Sequence, residues 1–378
     1  MQKQGAESEH MPHHPVGQKF SVPRPHGEKT EVKGSKNLIS NAVKTLKGNV
    51  ERTGDPLGIK SPYWTQWAKG LDLPREGNTL LFTARMYQML PYVVQTTELM
   101  AAVKPLLATK GINTVLSFGN RLAGERVIRS KAKGEKEITE KAEKILKGIA
   151  AGLKAVGQRP GYLYESEPYS GVLLYDLGLE EEIIPHMNRV YRLFKERGIK
   201  KIITVDPHTT FMMKEVYPKH VKDYDLQVSH YLECLQEKPE FLKEADRQNL
   251  PQELVLHDSC VMTRDLGFVE EARKVANAIG LPLLEPENNR LDTACCGGPV
   301  EYAFGDLSRR ISSIRMKELS SVNRNILVTC PICLINLSKY SRESGVRVWD
   351  MGEILYAALA RDETLEHQPM IKESDPCC

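Results

Sequence analysis

Five of the eight cysteines in this chain fall between Cys260 and Cys333, at three places that a fold could bring together. The order is His257-Asp258-Ser259-Cys260, then 34 residues, Cys295-Cys296-Gly297-Gly298-Pro299, then 30 residues, and Cys330-Pro331-Ile332-Cys333. Each place is bounded by residues that bend the backbone: Asp-Ser before the first, Gly-Gly-Pro after the second, Pro inside the third. The apolar run Asn325-Ile326-Leu327-Val328-Thr329 leads straight into Cys330, as a buried parallel strand would. Cysteines at the carboxyl ends of such strands meet at the edge of an open sheet, where α/β folds place their sites. The pattern points to a metal site.

Other readings are weaker. Buried free cysteines often only pack, which suits Cys234 but not five thiols at three bends. Disulfides suit exported chains, and nothing in this sequence suggests export. Zinc is the serious competitor, because a C-x-x-C knuckle with distant cysteines is also how zinc is held. Zinc takes four ligands, however, and a fifth thiol sits beside the fourth. Thiolate-only ligation suits iron–sulfur chemistry. Both metals stay open on these residues, with iron–sulfur favoured.

The Cys-x34-Cys-Cys-Gly-x32-Cys-x2-Cys pattern resembles the cysteine-rich "CCG" domain of heterodisulfide reductase subunits B and D, the glycolate oxidase iron–sulfur subunit and lactate-utilisation proteins. The flanks resemble it too: His257-Asp258, Arg273, Glu285, Asn289-Arg290, and the tail Val348-Trp349-Asp350-Met351-Gly352-Glu353-Ile354-Leu355. The resemblance implies one noncubane [4Fe-4S] cluster per chain, with Cys260, Cys295, Cys296, Cys330 and Cys333 as ligands. Gly297 and Gly298 would let the backbone approach the cluster and donate amides to its sulfurs, and His257 would supply a proton or an outer contact. Zinc remains the alternative metal.

With 41% apolar and 27% charged residues the chain reads as soluble and globular, and at 378 residues it can hold two domains. A net charge of +3, from 52 basic and 49 acidic residues, argues against a nucleic-acid-binding stripe. No stretch is apolar enough to span a membrane, and the start lacks a signal core, so a cytoplasmic protein is expected, with membrane association only through partners.

Residues 1–36, rich in Pro, His and Gly, read as a mobile tail in which His10, His13 and His14 are solvated. A linker helix and loop is expected over 37–77. Over 78–230 the sequence predicts a first α/β half: a strand at 78–83, a helix at 91–110, a strand at 112–118, and one long amphipathic helix within 121–154, partly a lid or insertion. A second half is expected over 231–360, and a tail at 361–378 ending in Cys377-Cys378. An internal repeat links the halves. Tyr169-Ser170-Gly171 aligns with Cys295-Cys296-Gly297, Asp206-Pro207-His208-Thr209 aligns with Cys330-Pro331-Ile332-Cys333, and the region of Thr83 and Arg85 takes the place of the first cysteine. The fold expected is α/β: two similar open parallel-sheet, Rossmann-like halves related by pseudo-two-fold symmetry. The first half is read as a degenerate scaffold without thiolates. An altered site made from Glu165, Glu167, Asp206, His208 and Tyr169 is the alternative. His230 is read as a satisfied core histidine.

Since no ferredoxin cysteines precede the motif, electrons must arrive from elsewhere. The resemblance implies an oxidoreductase subunit, heterodisulfide-reductase-like, passing electrons to a thiol/disulfide or other acceptor and active in a complex. A ferredoxin-type iron–sulfur subunit and a flavoprotein subunit are the expected partners. Electron transfer in glycolate- or lactate-type oxidation, without disulfide chemistry, and a zinc-stabilised scaffold are the alternatives.

Overall fold

A computed structural model describes residues 43–44, 46–58, 63–95, 135–242, 246–298, 304–341 and 345–359. The expected tails, the strand at 112–118, most of the helix at 91–110, Pro299, Cys377 and Cys378 lie outside the described residues.

Two parallel sheets carry the chain, which makes it an α/β protein. The first contains β1 (Thr79–Phe82), β2 (Lys201–Thr204) and β3 (Gln227–His230) in the order β1-β2-β3. The second contains β4 (Leu254–Leu256), β5 (Leu283–Leu284), β6 (Asn325–Val328) and β7 (Arg347–Asp350) in the order β5-β4-β6-β7. Helices connect and cover them: α1 (Lys136–Ala155), α2 (Val172–Asp176), α3 (Glu180–Glu196), α4 (Pro207–Phe211), α5 (Tyr231–Gln236), α6 (Glu271–Ile279), α7 (Gly305–Val322), α8 (Pro331–Ser338) and α9 (Met351–Leu359).

Side-chain alternation along a strand sends neighbours to opposite faces, and in the first sheet both faces are buried. Leu80, Phe82 and Ile202 pack with Val190 and Phe194 of α3, where Phe82 and Phe194 meet edge to face at 5.2 Å. Leu81 and Ile203 point the other way, into the cluster that holds Ile145 and Ile149 of α1 and most of the second sheet. This second cluster runs from one sheet to the other, so the cysteine-bearing half is packed directly against the first. Trp67 joins one cluster and Trp64 the other, which anchors the stretch before β1.

Two short strands had no clear sequence signal. Gln227-Val228-Ser229-His230 has a single aliphatic residue, yet pairs in register with β2 as Ile202↔Val228 and Ile203↔Ser229. Leu283-Leu284 is a two-residue edge pairing to β4. His230 is fully buried and caps α5: its backbone N–H donates to Glu233 and its Nδ1 accepts from Leu232.

Where the sequence suggests a lid or insertion, the described part is a packed core helix. One face of α1 buries Ala142, Ile145, Leu146, Ile149 and Leu153, and it lies along α9. The two helices touch at glycines. A Cβ on Gly148 would stand 1.9 Å from the Gly352 carbonyl oxygen, and one on Gly352 would stand 2.6 Å from the Ile145 carbonyl oxygen. Backbone atoms cannot swing aside, so Gly148→Ala must part the helices. Overpacking of this kind costs about 1–3 kcal/mol, and denaturant unfolding of Gly148→Ala should show a loss in that range.

Candidate metal centre

The strand ladder delivers the first and third cysteine positions side by side. The N–H of His257 donates to the Leu327 carbonyl at 2.9 Å, which extends the β4–β6 pairing one residue past β4. The chain then bends through Asp258 and Ser259, and Cys260 opens a π-helical turn, Val261–Asp265, a conformation common at functional sites. On the neighbouring strand Cys330 is the extended N-cap of α8 (φ −141°, ψ 128°), with Pro331 at the first helical position, where a missing N–H costs nothing. Cys330 and Cys333 therefore sit at a helix N-terminus, whose free N–H groups favour thiolates.

The Cys295-Cys296 pair arrives on a loop, ten residues beyond β5, and that loop is clamped. The Asp258 carboxylate accepts from Arg273 Nη1 and Nη2 at 2.9 and 2.8 Å and from the Arg290 backbone N–H at 2.7 Å. Arg273 also holds Glu285 at 2.7 and 2.8 Å, and the Thr293 hydroxyl donates to the Asp258 carbonyl at 2.9 Å. Asp258, Arg273, Glu285 and Arg290, notable in the sequence only as flanking residues, thus fix the distance between the first cysteine and the pair.

The five thiols influence one another's ionisation in one series: Cys260 with Cys295, Cys295 with Cys296, Cys296 with Cys333, and Cys333 with Cys330. Cys296, Cys330 and Cys333 are buried, whereas Cys260 and Cys295 are half-buried. Protons are shared unevenly along the series. Hydrogen bonds from Cys260 and Cys296 hold Cys295 far below the usual thiol range, with help from the Gly297 amide, which donates to its sulfur at 3.3 Å. Burial opposes ionisation of Cys330, yet Cys333 and the His208 imidazole outweigh it and favour its thiolate. Cys260, Cys296 and Cys333, the donors, are pushed up.

Both glycines after the pair are sterically required. Gly297 has φ +80°, and a Cβ there would stand 2.7 Å from the Ser308 carbonyl oxygen. A Cβ on Gly298 would stand 2.0 Å from Ile332 Cγ2 and 3.4 Å from Cys296 Sγ.

Buried polar groups surround the sulfurs. His257 accepts a hydrogen bond at Nδ1 from Arg315 Nε at 3.0 Å; burial and the Arg315 charge push its pKa down to about 3. Its Nε2 is buried without a partner, and one nitrogen of the ring and the Cys296 and Cys333 sulfurs all lie within 4.8 Å of one another. Asn336 is buried with its Nδ2 unpartnered, 2.8 Å from where a Gly298 Cβ would be. Arg315 and Asn336 escaped the sequence reading. Arg315 looks like one more surface charge on α7, but it shares the buried stripe of Ser308, Ser312, Met316 and Leu319, a helical spacing that marks it as inward-facing.

The first sheet presents different chemistry at the same kind of bend. Asp206 caps α4 in extended backbone, with Pro207 next, and accepts from the Thr209 N–H at 2.9 Å; its Oδ2 has no partner, and burial pushes its pKa up to about 6. His208 reaches across to Cys330; burial opposes its protonation, but the thiolate raises its pKa to about 9. The other residues of the imagined altered site do not gather there. Glu165 is half-exposed and paired with Arg75 at 3.0 Å. Glu167 is buried against Thr83 N and Oγ1 at 2.7 and 2.8 Å, and Tyr169 is buried with its hydroxyl accepting from Leu173 N. Arg85, at the place of the first cysteine, donates to the Glu167 carbonyl and to Asp55 at 2.9 Å.

The clamp should be strong, because Arg273 and Asp258 are both largely buried. Removing one partner of a buried pair costs about 3–5 kcal/mol. Arg273→Ala should lower unfolding stability by an amount toward the low end of that range, since Glu285 stays partly solvated, and Arg273→Lys should recover only part of it.

A family model described as "Cysteine-rich domain" matches residues 254–338. The chain is 28% identical over 223 residues to "Probable iron-sulfur-binding oxidoreductase FadF" of Bacillus subtilis, covering 57% of this chain and 31% of that protein. It is 28% identical over 221 residues to "EtfAB:quinone oxidoreductase" of Syntrophomonas wolfei, covering 55% and 31%. A third relative, "Probable membrane-anchored ferredoxin" of Chromohalobacter salexigens, is 26% identical over 227 residues, covering 57% and 34%. The chain spans about a third of the length of these curated relatives. With its strand-end cysteines, its Cys-Cys-Gly-Gly loop and this match, the segment 254–338 belongs to the CCG cysteine-rich domain family.

Proposed function

We propose that the chain is an iron–sulfur electron-transfer subunit of an oxidoreductase, holding one noncubane [4Fe-4S] cluster on Cys260, Cys295, Cys296, Cys330 and Cys333. The observation that carries this reading is the convergence of the five thiols, each affecting the ionisation of the next in one series. The donor set fits such a group in three further ways. All five donors are soft thiols, the Gly298 approach leaves no room for a side chain, and an unpartnered His257 Nε2 is buried beside Cys296 and Cys333. Bound there, the cluster supplies one-electron redox chemistry.

The chain's own residues do the rest. The Asp258–Arg273 clamp holds the Cys295-Cys296 loop in reach of Cys260. The Gly297 amide, the N-terminus of α8 and the His208 imidazole stabilise negative charge on sulfur. Burial of Cys296, Cys330 and Cys333 keeps water from that end of the site. The two sheets are read as halves over about 78–230 and 231–360 related by pseudo-two-fold symmetry, a reading supported by the matching turns at Asp206-Pro207 and Cys330-Pro331. In it, the first half is a scaffold that lends His208 to the second.

The relatives' names describe iron–sulfur, quinone-linked and ferredoxin-type proteins. They favour electron relay between a flavoprotein and a ferredoxin-type or quinone-linked partner. Disulfide cleavage rests on the family resemblance alone. Among the described residues no helix is long and apolar enough to cross a membrane, and a cytoplasmic protein docking on such partners is the proposal. Zinc is the second reading, favoured by the proximity of His257, Cys296 and Cys333.

Protein purified without oxygen should be brown, with iron and acid-labile sulfide each at about four per chain; one zinc without sulfide would sink the assignment. Cys296→Ser leaves four thiols, enough for zinc, but should change the iron content and redox spectrum of a five-thiolate site. An unchanged spectrum would mean a plain four-cysteine centre. The double variant Asp206→Ala, His208→Ala should keep the iron count, and loss of metal there would make the first half a ligand-bearing site.

A further inference from the structure

Arg315 is a fully buried arginine directly behind the cysteines. Its Nε donates to His257 Nδ1 at 3.0 Å, its Nη1 to Glu318 at 2.7 Å and its Nη2 to the Thr293 hydroxyl at 3.4 Å. A guanidinium has five N–H donors and no acceptor. The atom it meets on His257 must therefore offer a lone pair, and the ring proton is left on Nε2. That nitrogen is buried and has no partner, and the ring that carries it is grouped through one of its nitrogens with the Cys296 and Cys333 sulfurs, all within 4.8 Å of one another. A nitrogen that carries its proton has no in-plane lone pair for a metal. A buried N–H without an acceptor is costly, and such a group calls for an explanation.

We propose that Arg315 locks His257 in the Nε2–H tautomer, so that His257 is a hydrogen-bond donor to the sulfur side of the bound centre at Cys296 and Cys333, and not one of its ligands. The inference rests on the cluster reading for its acceptor, an inorganic sulfide or a ligand thiolate, but the tautomer lock itself needs no cluster. It runs against the simplest use of a His-Cys-Cys group, which would be a zinc site with nitrogen ligation. Donors to cluster sulfur favour the reduced, more negative state and raise the potential. Arg315 is a positioning residue in this scheme: it acts through the imidazole, and its buried charge favours reduction as well.

Reduced holoprotein, labelled with 15N-histidine, is examined by pulsed EPR. The wild type should show an exchangeable proton coupled to the cluster that disappears in His257→Phe, and no nitrogen coupling of the size a direct iron–nitrogen bond gives. Direct nitrogen coupling in the wild type that is lost in His257→Phe overturns the proposal without any need for a folded Arg315 variant. In redox titrations, His257→Phe and Arg315→Met should both fall to lower midpoint potential at unchanged iron and sulfide content. His257→Gln, which keeps an N–H donor, should lie nearer the wild type. A His257→Phe potential equal to that of the wild type also overturns it. Should the protein carry zinc and no sulfide, the cluster reading fails separately. The diamagnetic protein then reports the tautomer from 15N histidine shifts: a protonated Nε2 on His257 upholds the lock, and a metal-bound Nε2 ends it.

Discussion

Five thiols brought together in series at the edge of a core cannot all ionise, because like charges disfavour one another and burial disfavours each of them. The surroundings of the site answer that constraint. A backbone amide meets Cys295, a helix N-terminus carries Cys330 and Cys333, and an imidazole meets Cys330. A buried guanidinium stands behind His257. All these groups are donors or cations, and they come from separate stretches of chain. A group that drew its positive charge from iron would release the remaining protons of Cys260, Cys296 and Cys333, since thiolate ligation and proton release are one event.

The first sheet shows what the same strand, bend and helix become without thiols. Asp206 takes the N-cap that Cys330 takes in the second sheet and turns its carboxylate onto the Thr209 N–H. Ala84 and Arg85 both hold positive φ, at 46° and 64°, which non-glycine residues adopt at a cost. The buried Arg85–Asp55 pair and the Glu167 contacts with Thr83 and Arg85 hold that bend. Burial raises the Glu167 carboxyl to about 7, against the pull of Thr83 and Arg85. His208 alone turns outward from this network to a cysteine of the other half.

How much of this was legible depends on the length and regularity of each signal. β4 and β6 are readable because Leu254-Val255-Leu256 and Ile326-Leu327-Val328 are unbroken apolar runs, as strands buried on both faces must be. The cysteines were readable by spacing. β3 was not, because one aliphatic residue in four carries no period. The amphipathic period of α1 is legible at Ala142, Ile145, Leu146 and Ile149, but that this face packs along α9 is not, because the partner helix lies about two hundred residues on in the chain. Arg315 was hidden for a related reason, being a charged residue whose burial only its partners reveal. His208 could be named as a polar residue at a bend, but its reach to Cys330 depends on how two sheets meet, which no local pattern encodes.

The site is not isotropic. Cys296, Cys330 and Cys333 lie on the protein side, together with His208, His257 and Arg315, and Cys260 and Cys295 lie toward solvent. The donors that tune charge are thus concentrated at the deep end, where low dielectric makes each of them count most. The shallow end is rigid without being closed, since the Asp258–Arg273–Glu285 clamp lies beside it and fixes the loop that carries Cys295. Under the proposed function, a partner would approach the half-buried Cys260–Cys295 edge, with the buried donors behind it. Separating the face that is met from the face that tunes lets a partner surface vary while the buried donors keep the redox chemistry constant.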